Sequence, residues 1–152
     1  MRKIYFIILF LITAFTYAFL SESKIENEYA AVYFDKLNRF EIQLTALLNL
    51  AEKSDLNSNT DIKKIQEQIF LTRKQLKSID FWLRYLEPVS YKKINGALPV
   101  EWEFELNEKP KKKEGAGLTL AALYLEEDNI SKNSLLNLIR HSQNASKIFS
   151  SK

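Results

Sequence analysis

His141 is the only histidine in the chain, and there is no cysteine. Those two counts decide much of the available chemistry. Without cysteine this chain forms no disulfide, no Cys-ligated zinc site and no iron–sulfur cluster. It also cannot attach a c-type haem covalently, which needs Cys-x-x-Cys-His, or carry a lipoprotein anchor. One histidine does not make a metal site, and no second histidine or carboxylate cluster stands at ligand spacing from it. Its neighbours Arg140, Ser142 and Gln143 place it on a polar helix face. A solvated side chain is therefore the reading adopted, rather than a general base. No Ser-His-Asp order, Gly-rich phosphate loop or nucleophile elbow is present. The expectation is a chain with no catalytic, cofactor-binding or metal-binding residues of its own.

Three weaker constellations remain. Arg73, Lys77, Asp80 and Arg84 line one predicted helix beside its apolar seam. They read either as a buried polar network or as ordinary helix-face pairing, with Asp80 and Arg84 at i,i+4 worth a few tenths of a kcal/mol. Trp82, Tyr85, Tyr91 and Trp102 could frame an aromatic ligand pocket, although aromatics near a helix end more often anchor core and loop. The run from Lys109 through Pro110 to Lys113 could meet an anionic surface, and otherwise is a charged loop tip. Asn129-Ile130-Ser131 and Asn144-Ala145-Ser146 match the glycosylation triplet, which matters only in a eukaryotic secretory pathway.

The elements that must position these residues are helices. Gly and Pro occur three times each in 152 residues, a scarcity that favours long helices over turns. From Glu26 to about Lys53, Tyr29, Tyr33, Leu37, Phe40, Leu44, Leu47, Leu48 and Ala51 recur three or four apart and predict an amphipathic helix. Turn formers from Ser54 to Asn59 break it, and Thr60 or Asp61 is the expected cap of the next helix. That helix is predicted over Asp61 to Leu86 from Ile62, Ile65, Ile69, Thr72, Leu76, Ile79, Leu83 and Leu86. Steps of three and four make a seam suited to one antiparallel neighbour. Pro88 ends it.

An irregular stretch is expected from Val89 to Glu114, with Val100 to Leu106 extended along the helices and without a strand partner. Leu118 to Glu126 predicts a short apolar helix, buried on most sides. Asp128 or Ser131 should cap the last helix, which carries Leu135, Leu138, Ile139, Ser142, Ser146 and Phe149. The fold class expected is all-α, an up-and-down antiparallel four-helix bundle with a long loop between helices 2 and 3. In its core Ile65, Ile69, Leu76, Ile79 and Leu83 should meet Leu37, Phe40, Leu44 and Leu47, with Leu120 and Leu123 closing the bundle.

The N-terminus reads as an export signal. Arg2 and Lys3 precede an apolar run from Ile4 to Leu20, and Thr16-Tyr17-Ala18 offers a small-x-small cleavage site. The expected division is a signal peptide over 1–18, or an uncleaved anchor to residue 20, then a helical domain over 24–150. With the positive end cytoplasmic, the remainder is outside in either case. The whole chain has 22 basic and 19 acidic residues, a net +3. Without Arg2 and Lys3 the balance is +1, so the charge gives no reason to expect a nucleic-acid partner.

Several blocks carry a resemblance: Leu71-Thr72-Arg73-Lys74-Gln75-Leu76-Lys77-Ser78-Ile79-Asp80-Phe81-Trp82, Glu87-Pro88, Asn95-Gly96-Ala97-Leu98-Pro99, Glu101, and Glu114 to Gly117-Leu118. In order and spacing the chain resembles the N-terminal helical region that precedes the haem domains in exported bacterial di-haem cytochrome c peroxidases. The match runs from Glu26 to about Phe149. More distantly it is similar to imelysin-like iron-uptake proteins. Their Gly-x-His-x-x-Glu positions are Gly117, Thr119 and Ala122 here, which lack the metal-ligating side chains. The resemblance implies a non-catalytic exported module, periplasmic or envelope-associated. It would be either a truncated peroxidase-family protein or a stand-alone scaffolding or binding partner of a haem protein. Haem c is then expected only in missing domains or in that partner, and membrane association only through the N-terminus. The alternative is a membrane-anchored sensory or small-ligand-binding helical bundle.

Overall fold

The computed structural model describes residues 2–96, 100–102, 111–113, 115–127 and 131–150, and over most of 2–27 and in 100–113 it describes the backbone alone. The protein is all-α apart from a two-stranded ribbon. It divides into two compact units, Met1–Asp35 and Lys36–Lys152.

The helix α1 (Arg2–Lys53) starts well before the expected Glu26, because no Gly or Pro interrupts the chain before Pro88. In the first unit it exposes Tyr5, Phe6, Ile8, Leu9, Phe10, Ile12 and Phe15. The hydroxyls of Thr13 and Thr16 donate back to the carbonyls of Phe10 (2.9 Å) and Thr13 (3.0 Å), so neither leaves an unpaired polar group on that apolar stretch. Among the described residues no helix is long and apolar enough to cross a membrane. Tyr29, expected on the buried stripe, is exposed.

In the second unit the predicted seam forms. Leu37, Phe40, Leu44, Leu47 and Ala51 of α1 are buried together with Ile65, Ile69 and Leu76 of α2 (Asn59–Lys77), Ile79, and Leu83 of α3 (Asp80–Leu86). Polar groups at the α1–α2 contact are paired. Gln68 Nε2 donates to Gln43 Oε1 (2.8 Å), and the buried Thr72 hydroxyl donates to the Gln68 carbonyl (2.7 Å). The cap of α2 is Ser58, whose side chain accepts from the Asp61 amide, rather than Thr60 or Asp61. Asp61 instead accepts from the Asp55 amide and from Lys64, and the Lys64 hydrogen bond, then that amide, hold its carboxyl below the usual range.

The expected single helix over Asp61 to Leu86 is broken at Ser78–Ile79. The Ser78 hydroxyl donates to the Gln75 carbonyl (2.7 Å), and the Ser78 and Ile79 amides bond three residues back, to Gln75 and Leu76. Such a serine competes with the helical ladder and tightens the last turn. Leu86, the expected end of the seam, is exposed as a result.

Pro88 ends one helix and opens another, α4 (Pro88–Ile94), where an irregular stretch was expected. Its fixed φ suits a first helical position, and Ser90, Tyr91 and Ile94 give α4 a buried face. The extended segment also has a partner: β1 (Val100–Trp102) pairs antiparallel with β2 (Lys111–Lys113), Glu101 opposite Lys112. Lys111–Lys113 of the lysine run are thus a strand, while Lys109 and Pro110 lie outside the described residues. The apolar helix α5 (Gly117–Tyr124) buries Leu118, Thr119 and Ala121, with Leu125 just after it. Leu120 and Leu123, expected to close the bundle, are only half-buried. The last helix, α6 (Lys132–Ser150), packs on α4 and α5 and buries Leu135, Leu136, Ile139, Ala145 and Phe149. It is tied to α1 by Arg140–Glu52 (2.8 Å) and by Gln143 Nε2 donating to Thr45 Oγ1 (3.3 Å). Of its expected caps, Asp128 lies outside the described residues, and the Ser131 carbonyl accepts from the Leu135 amide.

Candidate functional site

A backbone junction positions the site. The Gly96 amide donates to the Ala116 carbonyl (3.1 Å), and Asn95 bridges Gly117. Gly117 has φ +61°, and a Cβ there would collide with the backbone carbonyls of Lys93 and Ile94. Only glycine meets both demands, a left-handed conformation and contact with another backbone. The junction brings the start of α5 against the end of α4. Across it the Thr119 hydroxyl donates to Asn95 Oδ1 (2.9 Å).

Beside this junction lies an open pocket of about 450 Å³, lined by side chains of α2, α3, α4 and α5 and by the loop after α4. Three of its lining residues are cationic, Arg73, Arg84 and Lys92, and among the described residues no carboxylate lines it. Tyr91 and Thr119, each 6% exposed, form its rigid part. Arg84 is held in place although 60% exposed. Its guanidinium lies 4.9 Å from the Tyr91 ring centre, and Nη2 donates to the Tyr91 hydroxyl (3.1 Å) and approaches Asp80 Oδ2 (3.4 Å). The hydrogen bond to Tyr91, and after it the electrostatic effects of Tyr91 and Asp80, raise its pKa, so this cation is permanent. Arg73 has no ion-pair partner among the described residues. The arrangement offers several N–H donors and positive charge to a ligand of a few atoms, next to the faces of Tyr91 and Pro88.

Of the four residues expected along the second helix, Arg73 and Arg84 meet in this pocket, Asp80 supports Arg84, and Lys77 is exposed elsewhere. The ion pair expected between Asp80 and Arg84 is formed, while the buried network is not. Among the described side chains the aromatic group does not assemble as a pocket: Tyr91 lines the site, Tyr85 is exposed, and Trp82 stacks edge-on with Phe81 (6.5 Å). The Trp102 side chain lies outside the described residues. Lys92 and the Thr119–Asn95 pair had no chemical signal in the sequence, since their contribution depends on the α4–α5 junction.

His141 is exposed and lines a second groove, of about 590 Å³, with Lys93, Leu138 and Ile148. Among the described residues no group of three His, Cys, Asp or Glu side chains could hold a metal ion. No protein-family model, curated protein or solved structure matches the chain.

Proposed function

We propose that this chain is an exported, non-catalytic binding module of the cell envelope, whose binding site is the pocket beside the Asn95–Gly117 junction. The observation that carries the reading is convergence. Arg73, Arg84, Tyr91, Lys92, Asn95 and Thr119 come from four helices and the α4–α5 junction, and together they line one pocket. Its volume falls in the range of roughly 300–1,000 Å³ usual for small-molecule sites. Export is supported by Arg2 and Lys3 before an apolar run whose described side chains are mostly exposed. Within the second unit we read the C-terminal part of α1 with α2, α5 and α6 as an up-and-down four-helix bundle. The chain from α3 to β2 then forms its long crossover.

Two measurements test this reading. Sequencing the N-terminus of protein recovered from a bacterial envelope should find Phe19 first if the signal is cleaved, or Met1 if it anchors; recovery from the cytosol alone would overturn export. Screening a small-metabolite panel by thermal shift of the full chain should find a ligand whose stabilising effect is lost in Arg73→Glu. A silent panel would overturn the pocket as a small-molecule site.

A second reading is favoured by the identity of the converging segments. The blocks that resemble the peroxidase N-terminal region supply Arg73, Pro88, Asn95 and Gly96 to the same pocket. The module would then work beside a haem-containing peroxidase domain, in a longer chain or as a partner protein, and haem c would belong to that domain. Reading the DNA downstream tests it: Cys-x-x-Cys-His motifs in the continuing or an adjacent reading frame are expected, and their absence would remove the haem partner.

A further inference from the structure

We infer that the pocket beside the Asn95–Gly117 junction binds a small organic oxyanion, a carboxylate or phosphate ester, gripped by Arg73 and Arg84 with its apolar body against Tyr91 and Pro88. The inference rests on reading this pocket as the binding site and adds the chemistry of the ligand.

Charge is the first support. Among the described residues the lining holds three cations and no carboxylate, and Asp80 lies close to one of them, so the described lining is positive. Clustering like charges costs energy unless an anion completes the set. Preorganisation is the second. Tyr91, buried on α4, holds Arg84 through its hydroxyl and under its ring, so the fork is oriented before a ligand arrives. Only Nη2 is engaged in those contacts, which leaves a donor on Nη1 or on Nε for one oxygen of an oxyanion. Polar positioning is the third. Because Asn95 Oδ1 accepts from Thr119, the end of that amide left over is its NH2 donor, which suits an anion and not a cation. The pocket is open and small, sized for a molecule rather than a polymer. Tyr91 and Pro88 give it one apolar side, so an organic acid fits it better than a bare inorganic ion.

Titration calorimetry on the full chain tests this with three probes of similar shape: phenyl phosphate, benzoate and the neutral benzamide. Heat is expected with at least one oxyanion and none with benzamide, and the stronger of the two arms identifies phosphate or carboxylate as the group recognised. Arg73→Gln and Arg84→Gln should each lower the affinity about tenfold or more, as expected for losing a charge-assisted hydrogen bond, with helical circular dichroism unchanged. Lys147→Ala, an exposed cation on α6 away from the pocket, should bind like the parent. Affinities unaltered in both arginine variants, or no heat with either oxyanion, overturn the inference. Benzamide binding as tightly as benzoate overturns the oxyanion chemistry but leaves a ligand pocket. The pocket itself is judged by the metabolite screen, so the two failures are separable.

Discussion

The two pockets of the second unit share one backbone junction and differ in the side chains gathered around it. The first takes Asn95 and Gly96 from it and adds Arg73, Arg84 and Lys92, with a buried tyrosine orienting one guanidinium. The second takes Gly115, Ala116 and Gly117 and adds the lone His141 on an exposed helix face, beside Leu138 and Ile148. By residue type the histidine is the more reactive group. What distinguishes the first pocket is that its polar groups are held by other residues: Tyr91 holds Arg84, and Thr119 holds Asn95. A site is made by fixed partners more than by the reactivity of any one side chain.

The largest expected effect comes from breaking the junction that both pockets share. Gly117→Ala places a Cβ against the carbonyls of Lys93 and Ile94 at a left-handed backbone position. Destabilisation of about 4 kcal/mol, or failure to fold, is expected in thermal unfolding. A variant with unchanged melting would show that the junction is not tight. Next is the apolar seam of the second unit. Leu76 is fully buried, so Leu76→Ala should cost about 2–5 kcal/mol, a large share of the roughly 5–15 available to a domain of this size.

Smaller changes separate the two pockets. Thr119→Val keeps the volume but removes the donor to Asn95, and should cost about 1–2 kcal/mol in chemical denaturation while weakening oxyanion binding. His141→Ala should change stability by less than about 0.5 kcal/mol and leave oxyanion affinity untouched, because the side chain is exposed. If the histidine variant lost more stability than Leu76→Ala, the assignment of seam and groove would be reversed.

The seam was legible because its steps of three and four are a property of sequence alone: Leu37, Phe40, Leu44 and Leu47, and Ile65, Ile69, Leu76, Ile79 and Leu83, all lie in the core. The break at Ser78–Ile79 was not, because the apolar steps run straight through it and only a hydroxyl's choice of carbonyl decides the turn. That break matters for the site. Arg73 and Arg84 are eleven residues apart, about 16 Å along an unbroken helix, too far for one small ligand. With the helix broken between them, both line one pocket. Helix α4 was hidden for a related reason: Pro88 signals an ending, and its suitability as a first helical residue shows only once the buried faces of Tyr91 and Ile94 are known. The ribbon was hidden because a run of lysines reads as solvated loop, while its pairing with Val100–Trp102 is a non-local fact.

The most direct test of the difference between the pockets is chemical-shift mapping of the isotope-labelled full chain during titration with phenyl phosphate and benzoate. The expected result is a set of shifts confined to Arg73, Arg84, Tyr91 to Gly96 and Thr119, saturating with the oxyanion, while His141 to Ile148 stay still. Shifts centred on His141 and Ile148, or none anywhere at saturating probe, would contradict the assignment of the arginine pocket as the binding site.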